Sequence, residues 1–414
     1  MTAPRLVDVP SNLDAVCTRG PEDAPDDGGL THADVEAIDG AVRDLYRSRV
    51  HPAVSVCLRR HGAVVYNRGY GYARGGAPDD APGAEKVPLA HDAPHCLFSA
   101  SKAFMAIALH RLDDDGVLHI DDPVSAWLPS FDRRDKRHVT LRDLLTHRAG
   151  LPRVTGSRDE LDLLADTAGL VERLAATPTT GRPGSRLAYH ALTGGWVIDQ
   201  VVREATGGAS IDDVLRDRLM RPIGLDGVGY GLDVDRRPKR VDNATTGPPL
   251  NAGLSFVARR ALGVPFDEVA TIANDDRFFD AVIPSANLFA SAEEACRFFE
   301  MMRRGGELDG VRVLEPRTIR RMVTPTSFGE LDGTLLLPVR YGVGVMLGAR
   351  PAGLFGPNST RAYGHLGFMF NFVWADPARH ISCAILTSGK ALLGPHLAPT
   401  GRLLWTIGRR CRTR

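Results

Sequence analysis

Residues 98–104 read Phe-Ser-Ala-Ser-Lys-Ala-Phe and open the run Ser99–Leu112, which is apolar almost all round and predicts a buried helix. Residues three apart on a helix share a face, so Ser99 and Lys102 are expected side by side. Burial lowers a lysine pKa, and a neutral amine beside a hydroxyl can act as its general base, whereas an arginine keeps its proton. The chain has five lysines and 46 arginines, so a lysine here suggests a chemical requirement.

The elements predicted on either side of this helix follow an α+β order. Thr31 and Asp34 have capping-box spacing, with Asp in place of the usual Glu, ahead of a helix that ends near Arg49. The runs Ala53–Leu58 and Ala63–Tyr66 flank Arg-Arg-His-Gly and predict a hairpin. Further strands are expected at Tyr341–Leu347, Phe368–Trp374 and Ile381–Thr387, and further helices at 141–147, capped by Thr140, and at 158–176, 191–206, 210–220, 290–304 and 398–409.

This order predicts a sheet built from both chain ends with a helical domain inserted between them, rather than alternating βαβ units. Residues 31–98 and 325–414 would form the α/β domain, and residues 99–324 the mostly helical insertion. Residues 1–30 are rich in Pro, Asp and Gly and are expected to be a poorly ordered lead-in.

One segment inside the insertion, residues 247–283, is too long and too apolar to be a simple connection. Pro and Gly residues break it into short pieces, as in a lid. We expect it to shape an acyl pocket, with Phe256 and Phe266 as lining residues. The alternative is that the segment only packs on the helical domain.

Composition excludes several functional classes. The 414 residues include 51 Lys+Arg and 50 Asp+Glu, so the net charge of +1 gives no sign of a nucleic-acid partner or an anionic membrane surface. No run of apolar residues is long enough to span a membrane, and the start of the chain lacks the pattern of a secretory signal, so a cytoplasmic location is expected. The six cysteines lack metal-type spacing and are interpreted as free thiols in a reducing compartment. Neither a GxSxG elbow nor an HExxH metal motif nor a phosphate loop occurs, so no metal and no cofactor are expected.

Five segments in a fixed order point to one family. They are Phe98–Phe104, Thr140–Pro152 with its Leu-Leu-Thr-His, Pro183–Trp196 around Tyr189, Ala286–Pro316, and Tyr363-Gly-His-Leu-Gly367. Together they resemble the serine β-lactamase and penicillin-binding-protein superfamily, in the class C-like branch that includes the family VIII carboxylesterases. The resemblance runs from about residue 30 to the C-terminus.

The resemblance implies a β-lactamase/transpeptidase-like fold, with an antiparallel sheet flanked by helices, and a role for each matching residue. Ser99 would be the acyl-accepting nucleophile. Lys102 and Tyr189 would be the acid/base pair, with either as the base. The backbone N–H groups of Ser99 and Phe368 would form the oxyanion hole, and Gly367 would let its strand approach the substrate closely.

Two departures from the family pattern concern the substrate. His190 follows Tyr189 where β-lactamases and D,D-peptidases carry Asn or Ser, and His365 replaces a lysine that recognises a carboxylate. Both changes favour a serine carboxylesterase that hydrolyses small neutral acyl esters. The alternatives are an acyltransferase that uses the same residues, a penicillin-recognising scaffold without turnover, and a weak β-lactamase or D,D-peptidase. The sequence gives no prediction of oligomeric state.

Overall fold

The computed structural model describes residues 3–133, 136–151 and 166–413. The helices are α1 His32–Arg47, α2 Ser101–Asp114, α3 Leu141–Leu145, α4 Thr167–Ala176, α5 Thr193–Thr206, α6 Ile211–Leu215, α7 Ala252–Leu262, α8 Val269–Ala273, α9 Asp276–Asp280, α10 Ala292–Arg303, α11 Pro316–Met322 and α12 Leu397–Arg410. The strands are β1 Cys17–Arg19, β2 Ala53–Arg60, β3 Ala63–Arg74, β4 Val87–Pro88, β5 His95–Cys96, β6 Gly229–Tyr230, β7 Ala244–Thr245, β8 Leu288–Ala290, β9 Glu307–Leu308, β10 Val311–Arg312, β11 Met346–Leu347, β12 Ala352–Gly353, β13 Gly356–Pro357, β14 Tyr363–Gly367, β15 Asn371–Asp376, β16 Ile381–Thr387 and β17 Gly389–Lys390.

The main sheet is antiparallel and joins the two ends of the chain. Its strands run in the order β1-β3-β2-β16-β15-β14-β11, and β4 pairs with β3. The central pairing is β2 with β16, in the register Val54↔Thr387. The described part of residues 99–324 supplies none of these strands and holds most of the helices together with a few short strands of its own. The fold is the expected α+β type.

The two faces of the sheet bury alternate residues of each strand, as the two-residue period of a strand requires. In β16, Ile381, Cys383 and Ile385 belong to the apolar cluster that α1 and α12 cover. Ala384 and Leu386 belong to the cluster on the opposite face, which includes α10 and α2. The sheet is therefore sandwiched between helices, which explains why its central strands are buried along almost their whole length.

Helix α2 lies in the centre of the larger cluster. Its side chains from Ser101 to His110 are all buried, as its apolar composition predicts. The Phe104 ring stacks on Phe298 of α10 at 3.9 Å between centroids, which joins α2 to the helix that covers the sheet. The start of α2, where Ser99 and Lys102 lie, is thereby fixed relative to the sheet.

The capping boxes expected at two helix starts are present. The Thr31 hydroxyl accepts a hydrogen bond from Asp34 N–H at 3.2 Å, and the Asp34 carboxylate accepts one from Thr31 N–H. Thr140 and Asp143 make the same pair at the start of α3. The expected helix at 158–176 is α4 where it is described, and its earlier part, like Pro152 of the second motif, lies outside the described residues.

Two expectations about the chain are wrong. Residues 3–30 are not a poorly ordered lead-in, because β1 pairs with β3 and the side chains of Leu13 and Leu30 are buried in the cluster beneath α1. The expectation rested on the content of Pro, Asp and Gly, which does not report these spaced apolar residues. The strand expected at Tyr341–Leu347 is reduced to Met346–Leu347, because Gly344 turns the chain with a φ of 88°.

The six cysteines are free thiols, as expected from their spacing. Across the described parts of the chain, none of the helices combines the length and the apolar character needed to cross a bilayer.

Candidate active site

The site begins at a turn between β5 and α2. Phe98 adopts a left-handed backbone conformation with φ 49°, which is costly for a residue with a Cβ and persists only where the surroundings enforce it. Ser99 follows in a single turn of 3₁₀ helix, Phe98–Ala100, that runs directly into α2. Its side chain is half-buried, so the hydroxyl stays reachable while the residues around it are buried.

Lys102 lies beside Ser99, as the three-residue spacing predicts. Its Nζ is 3.4 Å from Ser99 Oγ and donates hydrogen bonds to the carbonyl oxygens of Ala191, at 2.7 Å, and Ser285, at 2.9 Å. No carboxylate neutralises the amine among these contacts. Burial therefore lowers the pKa of Lys102 well below its ordinary value.

Tyr189 is the third side chain of this group. Lys102 Nζ lies 4.9 Å from the centroid of its ring. Burial raises the Tyr189 pKa above its ordinary value. The neighbouring Ser99 hydroxyl opposes this increase, and the negative charge of Asp332 adds to it. The phenol is therefore a neutral proton carrier in the resting site.

Asp332 is a site residue that the sequence did not reveal. Its buried carboxylate accepts the backbone N–H of Tyr189 at 3.1 Å and the hydroxyl of Tyr341 at 3.3 Å. The same carboxylate accepts the N–H groups of Thr334 and Leu335. Asp332 therefore fixes the backbone that carries the tyrosine. No local motif surrounds it, so no signal in the sequence could have found it.

Strand β14 brings the third motif to the same place. The His365 side chain is buried with Nδ1 2.7 Å from the Leu366 carbonyl oxygen. Burial, with a smaller effect from Lys102, lowers its pKa to about 3, so the imidazole is neutral at ordinary pH. The ring centroids of His365 and Tyr189 are 6.5 Å apart.

Gly367 has a steric role different from the expected one. A Cβ built on it would lie 2.2 Å from the carbonyl oxygen of Leu97, so a side chain there would push β14 off the nucleophile turn. Asn371 fastens the same contact, since its side-chain amide donates to the Cys96 carbonyl oxygen at 3.0 Å. The close approach is thus to the backbone beside Ser99.

Phe368 follows Gly367 directly, and its ring lies near two other phenylalanine rings. The rings of Phe98 and Phe266 lie 5.5 Å and 5.2 Å from the Phe368 ring. Within the described residues, the backbone N–H groups of Ser99 and Phe368 donate to no protein acceptor. Two unused donors on adjoining segments are what an oxyanion site needs.

A small cavity lies behind Lys102, and further polar side chains line it. They are His147, His190, Ser285, Tyr341 and His365. His147 Nδ1 accepts the N–H of His190, and His190 Nε2 accepts the N–H of Leu151. Burial lowers the pKa of His190 to about 3, so these histidines serve as neutral hydrogen-bond partners. The carbonyls of Ala191 and Ser285 carry no sequence signature.

The two phenylalanines of segment 247–283 that are expected to line a pocket differ in their exposure. Phe266 is buried against Phe368, whereas Phe256, on α7, is 70% exposed. Both line an open groove with about 1040 Å³ of empty space, open solvent included. The Phe266–Phe368 contact joins the groove to the site.

This fold, with serine, lysine and tyrosine side chains meeting at the start of α2, is shared with a penicillin-binding protein homologue. The sequence matches the Beta-lactamase family over residues 38–402. The chain belongs to the beta-lactamase family, and it is a serine hydrolase.

Relatives support the assignment. The esterase/beta-lactamase LipL of Mycobacterium tuberculosis is 31% identical over 318 residues, 72% of this chain and 70% of the relative. The esterase EstB of Burkholderia gladioli is 29% identical over 286 residues, 63% of this chain and 67% of the relative. A penicillin-binding protein homologue from Caulobacter crescentus superposes with a TM-score of 0.75 at 25% identity, covering 92% of this chain and 99% of that chain. A family VIII carboxylesterase has the same fold, with a TM-score of 0.76 at 23% identity, covering 93% of this chain and 99% of that chain.

Proposed function

We propose that the protein is a serine carboxylesterase that forms an acyl-enzyme on Ser99, with Lys102 and Tyr189 as the acid/base pair. The observation that carries the proposal is the meeting of three groups around one accessible hydroxyl. Ser99 Oγ lies 3.4 Å from the amine of Lys102, and the Ser99 hydroxyl is close enough to the phenol of Tyr189 to lower its pKa.

The hydrogen bonds of Lys102 favour it as the base. A neutral amine has two N–H donors and one lone pair. The carbonyl oxygens of Ala191 and Ser285 take two donors, at 2.7 Å and 2.9 Å, so the lone pair is left for the Ser99 hydroxyl. Burial of the amine favours this neutral form. Ser99 then gives its proton to Nζ as its oxygen attacks the ester carbonyl carbon.

Tyr189 is suited to protonate the leaving group in acylation and in deacylation. Its pKa is raised, so it holds its proton until the leaving alkoxide can take it, and the proton on the neighbouring Lys102 can then replace it. In deacylation the route reverses: water gives its proton to the pair and attacks the acyl carbon, and Ser99 leaves with a proton. Acid and alcohol are the products, and the enzyme returns to its starting state.

The oxyanion hole is proposed at the backbone N–H groups of Ser99 and Phe368. Gly367 and Asn371 support it, because they hold β14 against Leu97 and Cys96, directly ahead of the nucleophile. Donors that are already oriented stabilise the tetrahedral oxyanion without reorganisation, and each is worth roughly 10²–10³ in rate.

An ester substrate is favoured over a β-lactam. A β-lactam carries a carboxylate, and the imidazole of His365 that faces this part of the site is neutral because burial lowers its pKa to about 3. His190, which stands where an amide would meet a β-lactam side chain, has its Nε2 engaged by the N–H of Leu151. Among the relatives, EstB is named an esterase and LipL an esterase/beta-lactamase, so both names include action on an ester.

The test combines turnover with a covalent label. The purified chain is assayed on p-nitrophenyl esters from acetate to palmitate, with nitrocefin alongside, and is treated with a fluorophosphonate before peptide mass spectrometry. We expect ester turnover and one label, on Ser99. Ester turnover without a label on Ser99, or a label without turnover of any ester, would contradict the proposal.

Adding an acceptor alcohol to the same assay separates hydrolysis from acyl transfer. A carboxylesterase continues to release free acid. Diversion of most of the product into a new ester would replace the hydrolase by an acyltransferase with the same residues.

A further inference from the structure

One loop carries a concentration of exposed apolar side chains that neither the fold nor the site explains. In residues 327–338, here the apolar loop, Phe328 is 79% exposed, Leu331 62%, Leu336 53% and Leu337 58%. Elsewhere in the described chain, exposed large apolar side chains are scattered. Single exposed apolar residues are ordinary, whereas a contiguous group of them marks an interaction surface.

The apolar loop is held rigidly with its apolar side chains outward. At its base Ser327 donates to the Val339 carbonyl oxygen at 3.1 Å. Asp332 N–H donates to the Leu337 carbonyl oxygen and Leu336 N–H to the Asp332 carbonyl oxygen, which brings Leu336 and Leu337 next to Leu331. The backbone N–H groups of residues 332–336 all donate to protein acceptors, which reduces the cost of bringing this part of the loop to an apolar surface.

The charges around the apolar loop are mainly positive. Glu330, its exposed acidic residue, is paired with Arg148 at 2.6 Å. A Cβ built on Gly333 would lie 3.2 Å from Arg186 Nη2, so that guanidinium lies against the loop. Arg186 and nearby Arg182 are exposed and have no ion pair within the described residues. The net charge of the whole chain conceals this local excess.

We propose that the apolar loop docks the protein on the surface of an anionic lipid bilayer. Four side chains provide a patch on the order of a few hundred Å², less than the ~800 Å² per partner of a stable protein interface, so a second copy of the chain does not fit. Exposed leucine and phenylalanine beside unpaired arginines match acyl chains beneath anionic headgroups. The contact is peripheral.

The apolar loop is also joined to the site. Asp332, at its centre, accepts the backbone N–H of Tyr189 at 3.1 Å, and Gly333 N–H donates to the Leu187 carbonyl oxygen at 3.0 Å. Docking therefore sets the tyrosine segment close to the lipid surface. A consequence that rests on the proposed function is that the enzyme takes esters dissolved in a bilayer.

The test is flotation of the full chain with vesicles of ether-linked phospholipids, which offer no ester for hydrolysis, so the result is independent of the proposed reaction. One set is pure phosphatidylcholine and the other contains phosphatidylglycerol. The variant Phe328→Ser/Leu337→Ser is compared with Val234→Ser/Trp405→Ser, which removes an aliphatic and an aromatic side chain exposed elsewhere. Thermal unfolding of each variant checks that it is folded.

We expect the wild type to float with the anionic vesicles and the control variant to bind like the wild type. The loop variant should bind at least about tenfold more weakly. Arg186→Gln should weaken binding about fivefold and reduce the preference for anionic lipid. No flotation of the wild type, or equal losses in the two double variants, would overturn the proposal. So would a wild-type dimer in solution that the loop variant dissociates, because the occupant would then be a second copy.

Discussion

Lys102 combines two properties that conflict in an ordinary lysine. It is buried, and its close polar contacts among the described residues are one hydroxyl and two backbone carbonyl oxygens. A permanent charge in such a place is costly because none of these contacts is a counter-ion. The residue is tolerable there because an amine can lose its proton, and this is the property that the proposed chemistry uses.

At the residue scale, Lys102→Arg should damage activity nearly as much as Lys102→Ala. The arginine keeps the positive charge but cannot accept a proton, and loss of a general base costs roughly 10²–10⁴ in rate. The measurement is kcat on a dissolved p-nitrophenyl ester, with thermal unfolding to confirm the fold. If the arginine variant kept more than about a tenth of the wild-type kcat, Lys102 would be an electrostatic neighbour and not the base.

The two serines of the motif provide a matched pair. Ser99→Ala should abolish ester hydrolysis, because the nucleophile is removed. Ser101→Ala should retain it, because Ser101 lies on the other side of the helix, where its buried hydroxyl accepts the Leu288 N–H at 3.0 Å. Loss of that bond should lower the free energy of unfolding by about 1–3 kcal/mol. Full esterase activity in purified Ser99→Ala would refute the assignment of the nucleophile.

Nitrocefin should be hydrolysed at least about 100-fold more slowly than a short ester, judged by kcat/KM. A carboxylate that lacks a charged partner forgoes roughly 1.5–3 kcal/mol of binding. His365, buried and neutral with a pKa lowered to about 3, supplies no such charge. Comparable kcat/KM values for the two substrates would favour the β-lactamase alternative instead.

At the scale of elements, the sequence predicted best where a local pattern and the tertiary environment agree. The run Ser99–Leu112 became α2, Ser101–Asp114, and the expected strand Ile381–Thr387 has those bounds. The strand expected at Phe368–Trp374 begins later, at Asn371, because Met369 and Phe370 take left-handed φ values of 49° and 69° at the hairpin turn.

The parts of the site that could not be predicted are those that act through the backbone or over long distances. The Ala191 and Ser285 carbonyl oxygens that fix Lys102 would be present with any side chain at those positions. Asp332 reaches Tyr189 from 143 residues further along the chain. Periodicity and short motifs carry no information on either kind of contact.

The lid segment makes a prediction of its own. Phe266→Ala should change the ratio of butyrate to longer-ester hydrolysis several-fold, since burial of each CH₂ is worth up to ~0.8 kcal/mol. Its loss of stability should stay below the roughly 3–5 kcal/mol of a core Phe→Ala change. Phe256→Ala should alter the ratio with little effect on thermal stability, because that side chain is 70% exposed.

The control for these variants is Trp405→Ala, an aromatic side chain that is 47% exposed at the other end of the chain. Its chain-length profile should match that of the wild type. If both phenylalanine variants unfold readily and keep the wild-type profile, the segment is core and not a lid.

At the scale of the whole molecule, buried histidines should make the fold sensitive to acid. Burial lowers the pKa of seven of them: His51, His95, His110, His147, His190, His365 and His396. For His110 the folded value is about 4, against an ordinary 6.5. The unfolded chain therefore binds protons first as pH falls, so stability present above about pH 6.5 is lost progressively towards pH 4.

The measurement is urea unfolding at pH 7.5, 6 and 5. The free energy of unfolding should fall by more than ~1.4 kcal/mol per pH unit below about pH 6, which is the limit for a single group. His110→Gln should reduce this slope, whereas replacement of exposed His32 on α1 should leave it as in the wild type. A free energy that does not change between pH 7.5 and 5 would contradict the prediction.

The joining of both chain ends in one sheet has a consequence for synthesis on the ribosome. Ala53 N–H bonds to Ser388 Oγ, 335 residues later, and β14 with the third motif also emerges near the end. Synthesis adds about 5–20 residues per second, so tens of seconds pass between the synthesis of β2 and that of its partner β16. During this time one edge of β2 is unpaired. Every nascent chain passes through a stage that holds Ser99, Lys102 and Tyr189 but is catalytically silent. Until β16 emerges, the open edge of β2 can pair with a strand of another chain.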